Sequence, residues 1–273
     1  MNEVAIAHWH SIAREWRYFG SPLRPCEEDT RFMSQVIAKQ FQGRRDLKAL
    51  LCGVTPEIAR MSWPSGSLLT AVERSGEMIQ EVWPGDITGI RKALQADWLE
   101  FETDKAAFDV VIGDGCFISM EYPEGYRALA ARIAGLLKKD GLLVMRFFTQ
   151  AETKESPEQV FDQLSQGEIG SFHAFKWRLA MSLQGGPDDG VCLHDIYTGW
   201  RRGGVDGRAL MAQTGWSPET LRTINLYENK QNSFAFAPLT ETVAILKEFF
   251  SIQTTYIPTY ELGERCPIFV LKR

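Results

Sequence analysis

The stretch LLCGVTPE, residues 50–57, runs from an apolar segment through one glycine into the start of a helix. Its leucines and cysteine predict a strand that is buried on both faces. Pro56 suits the first turn of a helix, where the missing backbone N–H costs nothing. In an α/β protein such a junction lies at the carboxyl edge of a parallel sheet, where these folds bind ligands. We therefore expect an α/β fold with a ligand site beside Gly53.

Further apolar runs of strand length recur along the first half of the chain. They begin at Leu47, Leu68, Phe108 and Leu142, and a weaker strand is expected at 93–96. The segments between these runs, such as EGYRALAARIAGLLKK, have the composition of helices. Strands that alternate with helices and are apolar throughout predict a doubly wound, mostly parallel sheet with helices on both faces.

The pattern changes after Thr149. Short helical segments separated by turns with glycine and proline follow, and no strand is obvious among them. The runs SIQTTYIPTY and CPIFVLKR near the end of the chain are typical of an antiparallel pair. We expect an N-terminal helical lid over 1–45, one α/β domain from 46–154 and 233–273, and a helical insertion over 155–232 after the fifth strand.

Composition restricts the partners and the cellular compartment. The 273 residues include 30 Lys plus Arg and 35 Asp plus Glu, a net charge of −5, which disfavours nucleic acid and anionic membrane surfaces as partners. The five cysteines form no C-x-x-C pair, and no uninterrupted apolar segment resembles a signal or a membrane span. These features predict a cytoplasmic protein with a small-molecule partner, whose oligomeric state the sequence leaves open.

Polar residues at the ends of the predicted strands form the candidate site. Glu73 ends the second strand, where a carboxylate can accept hydrogen bonds from both hydroxyls of a ribose. Asp97 and Trp98 follow the third strand and suit an adenine, one as an acceptor and the other through its ring. Asp114 ends the fourth strand beside Gly113, which permits close approach.

The order of these residues resembles the class I S-adenosylmethionine-dependent methyltransferases. The resemblance is carried by Gly53-x-Thr55-Pro56-Glu57, Glu73-Arg74-Ser75-x-x-Met78-Ile79, Asp97-Trp98 and Gly113-Asp114-Gly115. The opening HWHSIAREWRYFGSPLRPCEED and the closing YELGERCPIFVL are also similar to a bacterial subset of that family, with a GxTPE-type first motif and unassigned substrates.

The resemblance implies a fold, a cofactor and a set of binding residues. The sheet would have seven strands, with the last one antiparallel and placed between the fifth and the sixth. Gly53 would approach S-adenosylmethionine, Glu73 would hold its ribose, and Asp97 with Trp98 would contact its adenine. The expected cofactor-binding residues are Gly53, Thr55, Glu73, Arg74, Met78, Asp97, Trp98, Gly113 and Asp114. We expect no metal site.

Leu51 is the main departure from the family pattern, which usually has an acid two residues before its first glycine. Asp114 and Glu57 are the candidates to replace that acid. The leading hypothesis is a methyltransferase that acts on a small organic molecule by in-line transfer. The alternative is a non-catalytic binding or partner protein of the same fold. A nicotinamide dehydrogenase ranks last, because the turn at Gly53 has a single glycine.

Catalytic residues are sought among groups that could overhang the cofactor. His194 beside Asp195 is the candidate general base, with packing as its competing interpretation, and Asp114 is the second catalytic candidate. Arg24 is either solvated or bound to the cofactor carboxylate. We expect the insertion to cover the substrate pocket with some of its aromatic residues, although helix packing is their commoner role. These aromatic residues are Phe172, Phe175, Trp177, Tyr197 and Trp200.

Overall fold

The computed structural model describes the backbone of residues 3–273 and the side chains of residues 8–273. Its strands are β1 (Lys48–Cys52), β2 (Leu68–Glu73), β3 (Arg91–Gln95), β4 (Phe108–Asp114), β5 (Leu137–Arg146), β6 (Val191–Cys192), β7 (Ser233–Phe234), β8 (Ser251–Tyr256) and β9 (Ile268–Lys272). All of them except β6 and β7 form one sheet in the order β3-β2-β1-β4-β5-β9-β8. β9 is antiparallel to β5 and β8, and the other neighbours are parallel. The predicted sheet, with its antiparallel last strand between the fifth and sixth, is confirmed.

The helices of the described range cover the sheet and build the insertion. They are α1 (Glu3–Glu15), α2 (Glu27–Gln40), α3 (Pro56–Arg60), α4 (Gly76–Glu81), α5 (Glu124–Leu136), α6 (Pro157–Ser165), α7 (Phe172–Leu183), α8 (Leu193–Arg202), α9 (Gly207–Thr214), α10 (Pro218–Arg222) and α11 (Leu239–Lys247). Residues 1 and 2 of the predicted lid lie outside the described residues.

The strands are buried because both faces of the sheet are covered. Leu51 packs in a core with α1 to α4, whereas its neighbour Leu50 packs on the opposite face with α5 and α11. The alternation follows from the strand geometry, in which successive side chains point to opposite faces. An apolar run without polar interruptions is therefore the pattern expected of a central strand covered on both sides.

The insertion is mainly helical and has a core of its own. Its helices α6 to α10 pack around Phe172, Phe175 and Trp177, together with other apolar residues of the segment. The sequence predicted no strand in this segment. That prediction is wrong, because β6 and β7 pair in antiparallel fashion through Val191 and Phe234. A ladder of two residues is too short to show a recognisable alternation of apolar and polar residues.

A buried ion-pair network joins the sheet to the N-terminal helices and to the C-terminal segment. Arg146, the last residue of β5, has no exposed side-chain surface, and its Nε donates to Asp114 Oδ1 at 2.6 Å. Its Nη1 donates to the Tyr260 hydroxyl at 2.8 Å and lies 3.6 Å from Asp29 Oδ2 in α2. The Tyr260 hydroxyl in turn donates to Asp29 Oδ1 at 3.0 Å. One guanidinium thus ties four separate segments together.

We expect Arg146→Met to destabilise the protein by about 3–5 kcal/mol, because it leaves two buried carboxylates without their cation. The matched control is Arg127→Met, since Arg127 pairs with Glu124 and Glu248 at the surface and contributes about 0–1 kcal/mol. Urea unfolding at pH 5 and pH 8 measures both. The loss should be smaller at pH 5, because burial raises the pKa of the Asp114 carboxyl and its protonated form needs no cation. An Arg146→Met loss as small as that of the control would contradict the network's role.

Candidate active site

A cavity opens at the carboxyl ends of β1 to β4. Its volume is about 1170 Å³ when the open solvent at its mouth is included. The sheet side is formed by residues that end or follow these strands. The opposite side is formed by the N-terminal segment, by Trp177 and Tyr227 of the insertion, and by Phe148 and Phe234. The residues on the sheet side are Cys52, Gly53, Val54, Thr55, Glu73, Arg74, Ser75, Met78, Ala96, Asp97, Trp98, Asp114, Gly115, Cys116, Ile118, Ser119 and Met120. This is the edge at which a parallel sheet is expected to bind its ligand.

The turn after β1 is shaped by Gly53 and ends at Thr55, the N-cap residue of α3. Gly53 has φ +92°, a conformation that residues with a Cβ rarely adopt. A Cβ at this position would lie 3.9 Å from Glu73 Oε2, so its absence keeps the space in front of that carboxylate open. Thr55 occupies the predicted cap position but makes no capping hydrogen bond with its side chain. Both residues line the cavity.

Glu73 is held at the end of β2 by the backbone that follows it. Its Oε1 accepts a hydrogen bond from the Ser75 backbone N–H at 2.7 Å. Burial raises the pKa of the Glu73 carboxyl, and the backbone hydrogen bonds oppose that shift only in part. The residue is therefore a partly desolvated acceptor that lines the cavity, as a ribose-binding carboxylate would be.

The segment after β3 adds Asp97 and Trp98 to the cavity wall. Asp97 is fixed by two hydrogen bonds, from Arg74 Nη1 to Oδ2 at 2.8 Å and from the Leu99 backbone N–H to Oδ1 at 2.9 Å. The Trp98 indole N–H donates to the Val72 carbonyl at 2.7 Å, which fixes the ring against the sheet. Arg74, predicted as a cofactor contact, thus also orients Asp97.

The end of β4 differs in one respect from what the sequence suggested. Asp114 lines the cavity, and burial raises the pKa of its carboxyl against the opposing effect of Arg146. Gly113 does not line the cavity, so its predicted contact with a ligand is wrong. A Cβ on Gly113 would lie 2.8 Å from Cys116 Sγ and from Met145 Cε, so this glycine permits close packing inside the sheet instead.

The roof of the cavity comes largely from the N-terminal segment. The residues on this side, which we call the aromatic roof, are Trp9, Ile12, Trp16, Phe19, Leu23, Phe148, Trp177, Tyr227 and Phe234. Of the insertion aromatics singled out from the sequence, Trp177 lines the cavity within the described part of the chain, whereas Phe172 and Phe175 pack inside the insertion. The remaining roof residues were missed, since their apolar patterns do not differ from those of core positions.

His194 does not line the cavity, so its predicted position over the substrate is wrong. It lies at the start of α8, and its Nδ1 accepts a hydrogen bond from the Asn229 backbone N–H at 3.1 Å. His173 is also a packing residue, because its Nε2 contacts the Tyr18 carbonyl oxygen at 3.0 Å and its ring stacks on Phe19. Burial lowers the pKa of His173 to about 3.

Arg24 anchors the roof to α3, the helix that follows β1. Its Nε donates to Glu57 Oε1 at 2.9 Å, its Nη2 also contacts that oxygen, and its Nη1 donates to the Trp16 and Phe19 carbonyls. Arg24 is therefore neither solvated nor directed at a ligand, contrary to both sequence interpretations. Glu57 Oε2 is buried, and no side chain or backbone group within the described range bonds to it.

No model of a known protein family matches this chain, and no curated protein matches it. Solved structures show that the chain has the fold of the class I S-adenosylmethionine-dependent methyltransferases. One is 1,6-didemethyltoxoflavin-N1-methyltransferase from Burkholderia thailandensis, crystallised with 1,6-didemethyltoxoflavin and S-adenosylhomocysteine, with a TM-score of 0.54 and 12% identity over 99% of this chain and 87% of that one. Another is the N-methyltransferase NodS from Bradyrhizobium japonicum in complex with S-adenosylhomocysteine, with a TM-score of 0.50 and 11% identity over 96% of this chain and 98% of that one.

A third similar structure carries a different description. A Rhodobacter sphaeroides protein described as a putative zinc-dependent alcohol dehydrogenase matches with a TM-score of 0.65 and 10% identity over 100% of both chains. At such identities each comparison informs on the fold alone. Among the described residues, no group of three or more His, Cys, Asp or Glu side chains is placed to hold a metal ion. In the same part of the chain, no helix has both the length and the apolar character needed to cross a membrane.

We expect Arg24→Met to loosen the roof, because it removes the charge-assisted hydrogen bonds that tie Trp16 and Phe19 to Glu57. Hydrogen exchange of the amides in 8–24 should accelerate by about tenfold, a loss of roughly 1.4 kcal/mol for a partly exposed pair. Arg17→Met is the control, since Arg17 is exposed and lies over the Tyr18 ring. Equal exchange in the two variants would show that Arg24 does not anchor the roof.

Proposed function

We propose that this protein is an S-adenosylmethionine-dependent methyltransferase that acts on a small organic molecule. One observation carries the proposal: the strand-end residues predicted to bind the cofactor line a single cavity at the carboxyl edge of the sheet. Gly53, Glu73, Asp97 and Asp114 come from four different strand ends, yet all face that space. The methyltransferase fold supports it, and so does S-adenosylhomocysteine in two of the similar structures.

The residues present fit most of the cofactor. Glu73 has one carboxylate oxygen free of the Ser75 hydrogen bond and facing the gap at Gly53, which suits the ribose hydroxyls. Asp97 and Trp98 suit the adenine. When bound, the cofactor would supply an electrophilic methyl group, and the protein would contribute mainly proximity and alignment.

The ammonium of the cofactor needs a carboxylate partner. The family pattern usually has an acid at the position that Leu51 occupies in this chain, so another acid must take that role. Leu51 is fully buried in β1 and cannot serve. Asp114 lines the cavity, and Glu57 has a buried carboxylate oxygen that nothing in the described chain satisfies. Because Glu57 does not line the cavity, we assign the ammonium to Asp114. Asp114 is held by Arg146 at 2.6 Å as a countercharge in the cavity wall, and we propose no role for it as a catalytic base.

Because position 51 carries no acid, one competing function has to be tested against the proposal. A non-catalytic binding or partner protein of the same fold would retain the cavity without turnover. Hydride transfer to a nicotinamide is disfavoured because the turn at Gly53 lacks further glycines and leads into the five-residue helix α3, a poor cradle for a diphosphate. Titration calorimetry with S-adenosylmethionine tests the proposal directly, since no binding to the folded protein would contradict it.

We expect Glu73→Gln to weaken binding of S-adenosylhomocysteine by about 1.5–3 kcal/mol, because charge-assisted bonds to the ribose become neutral ones. Isothermal titration calorimetry at pH 8 measures the change. Glu81→Gln is the matched control, since Glu81 ends α4, the helix that follows Glu73 in the chain, and is exposed. Unchanged affinity in Glu73→Gln would remove Glu73 from the site.

The stability of the unliganded Glu73→Gln variant provides a second readout. Because burial raises the pKa of Glu73 in the folded protein, its ionised form destabilises the fold at pH values above that raised pKa. Glu73→Gln should thus be at least as stable as the wild type at pH 8. That advantage should disappear as the pH falls towards about 4, where the carboxyl is protonated in both states. A variant less stable at pH 8 would indicate a structural role.

A further inference from the structure

The cavity has two chemically different halves. Its carboxylates, Glu73, Asp97 and Asp114, all lie on the sheet side. The aromatic roof, in contrast, has no charged side chain among its described residues, and seven of its nine members carry an aromatic ring. If the sheet half holds the cofactor, the aromatic roof is the surface that meets the second ligand.

Two members of the aromatic roof have unmet hydrogen-bond donors. The indole Nε1 atoms of Trp16 and Trp177 are buried, and no acceptor for either exists in the described part of the chain. A buried donor without an acceptor costs about 1–3 kcal/mol, and native structures contain few of them. By comparison, Trp98 satisfies its indole through the Val72 carbonyl. A ligand with acceptor atoms would satisfy the roof donors in the same way.

The rings of the roof are held in place before any ligand binds. Trp177 makes edge-to-face contacts with Phe148 at 5.2 Å, with Phe234 at 5.4 Å and with Phe236 at 5.3 Å between ring centroids. Trp16 is fixed on its other side by the Arg24 guanidinium, 4.8 Å from the ring centroid. A rigid aromatic wall favours a flat ring that stacks on it, because little side-chain entropy is lost on binding.

The surroundings of the roof disfavour a positively charged ligand. Lys176 is completely buried behind Phe19 and Tyr227, 4.5 Å and 5.1 Å from their ring centroids, and its Nζ donates to Thr223 Oγ1 at 3.0 Å. Burial lowers the pKa of Lys176 well below its usual value, and burial and nearby lysines lower the pKa of His8 to about 3. Burial therefore disfavours positive charge behind the roof, and the aromatic roof offers no carboxylate that would compensate a cationic ligand for its lost hydration.

We propose that the aromatic roof binds a flat, uncharged aromatic molecule with at least two hydrogen-bond acceptors, such as a hydroxy- or oxo-substituted bicyclic ring, and that the indole N–H groups of Trp16 and Trp177 donate to it. The proposal rests on the proposed function, because it assumes that the cofactor binds on the sheet side of the cavity. It adds the chemical class of the second ligand and the two residues that select it.

Three planar probes of similar size test the selectivity. They are 7-hydroxycoumarin, which carries oxygen acceptors at both ends, naphthalene, which carries none, and 1-naphthylmethylamine, which is a cation at pH 7. Each is titrated into the full chain at pH 7 with and without saturating S-adenosylhomocysteine, and tryptophan fluorescence reports binding. We expect 7-hydroxycoumarin to bind at least about tenfold more tightly than either of the other two.

Substitutions that keep an aromatic ring but remove the five-membered part of the indole, with its N–H, test the donors. Trp16→Phe and Trp177→Phe should each weaken 7-hydroxycoumarin by about two- to tenfold, the contribution of one hydrogen bond, and leave naphthalene unchanged within about twofold. Trp200→Phe is the control, because Trp200 packs in the insertion and does not line the cavity. S-adenosylhomocysteine affinity should be the same in all three variants.

The outcomes separate this inference from the proposed function. Failure of S-adenosylhomocysteine to bind contradicts the proposed function, and the probes titrated alone still test the roof. If S-adenosylhomocysteine binds but the cation binds as well as 7-hydroxycoumarin, the proposed ligand class is wrong. Equal losses for 7-hydroxycoumarin and naphthalene in the phenylalanine variants would show that the indoles contribute shape and not hydrogen bonds. That result would overturn the assigned donors.

Discussion

The ion pair between Arg146 and Asp114 is the interaction on which the remaining structure depends. A guanidinium with no exposed surface is stable only if carboxylates compensate for its lost hydration, and Asp114 and Asp29 provide that compensation. Because these partners come from β4 and α2, the network holds the carboxyl edge of the sheet against the helical segment that closes over it. The same contact determines the site chemistry, since it fixes Asp114 as a countercharge in the cavity wall.

A second charged contact, between Arg24 and Glu57, positions the cover of the site. It joins α3 to the backbone carbonyls of Trp16 and Phe19, so the helix that follows the Gly53 turn also holds the roof. The two ion pairs have different strengths, because Arg146 is completely buried whereas Arg24 and Glu57 retain about a fifth of their exposure. The sheet edge is therefore held by a fully buried ion pair and the cover of the site by a partly exposed one.

Several unmet polar groups lie in or beside the cavity. Glu73 carries a carboxylate whose ionised form is penalised by burial, Glu57 has a buried oxygen without a donor, and Trp16 and Trp177 have buried donors without acceptors. Protein interiors seldom keep such groups unless they serve a ligand. Those of acidic character lie at or near the sheet edge, and the neutral donors lie in the aromatic roof. The cavity is therefore suited to two ligands of different chemistry.

The sequence by itself determined the mostly parallel sheet with its antiparallel last strand. It also determined the cavity-facing positions of Gly53, Glu73, Asp97, Trp98 and Asp114. These follow from local rules, because apolar runs identify buried strands and the residue after each strand must emerge at the shared carboxyl edge. Tertiary structure alone decided that Gly113 faces the interior of the sheet, that His194 lies outside the cavity and which residues of the predicted N-terminal lid line the cavity. Aromatic and histidine side chains on helices show the same periodicity whether they face a core or a cavity. Only the packing of distant segments determines which of the two they meet.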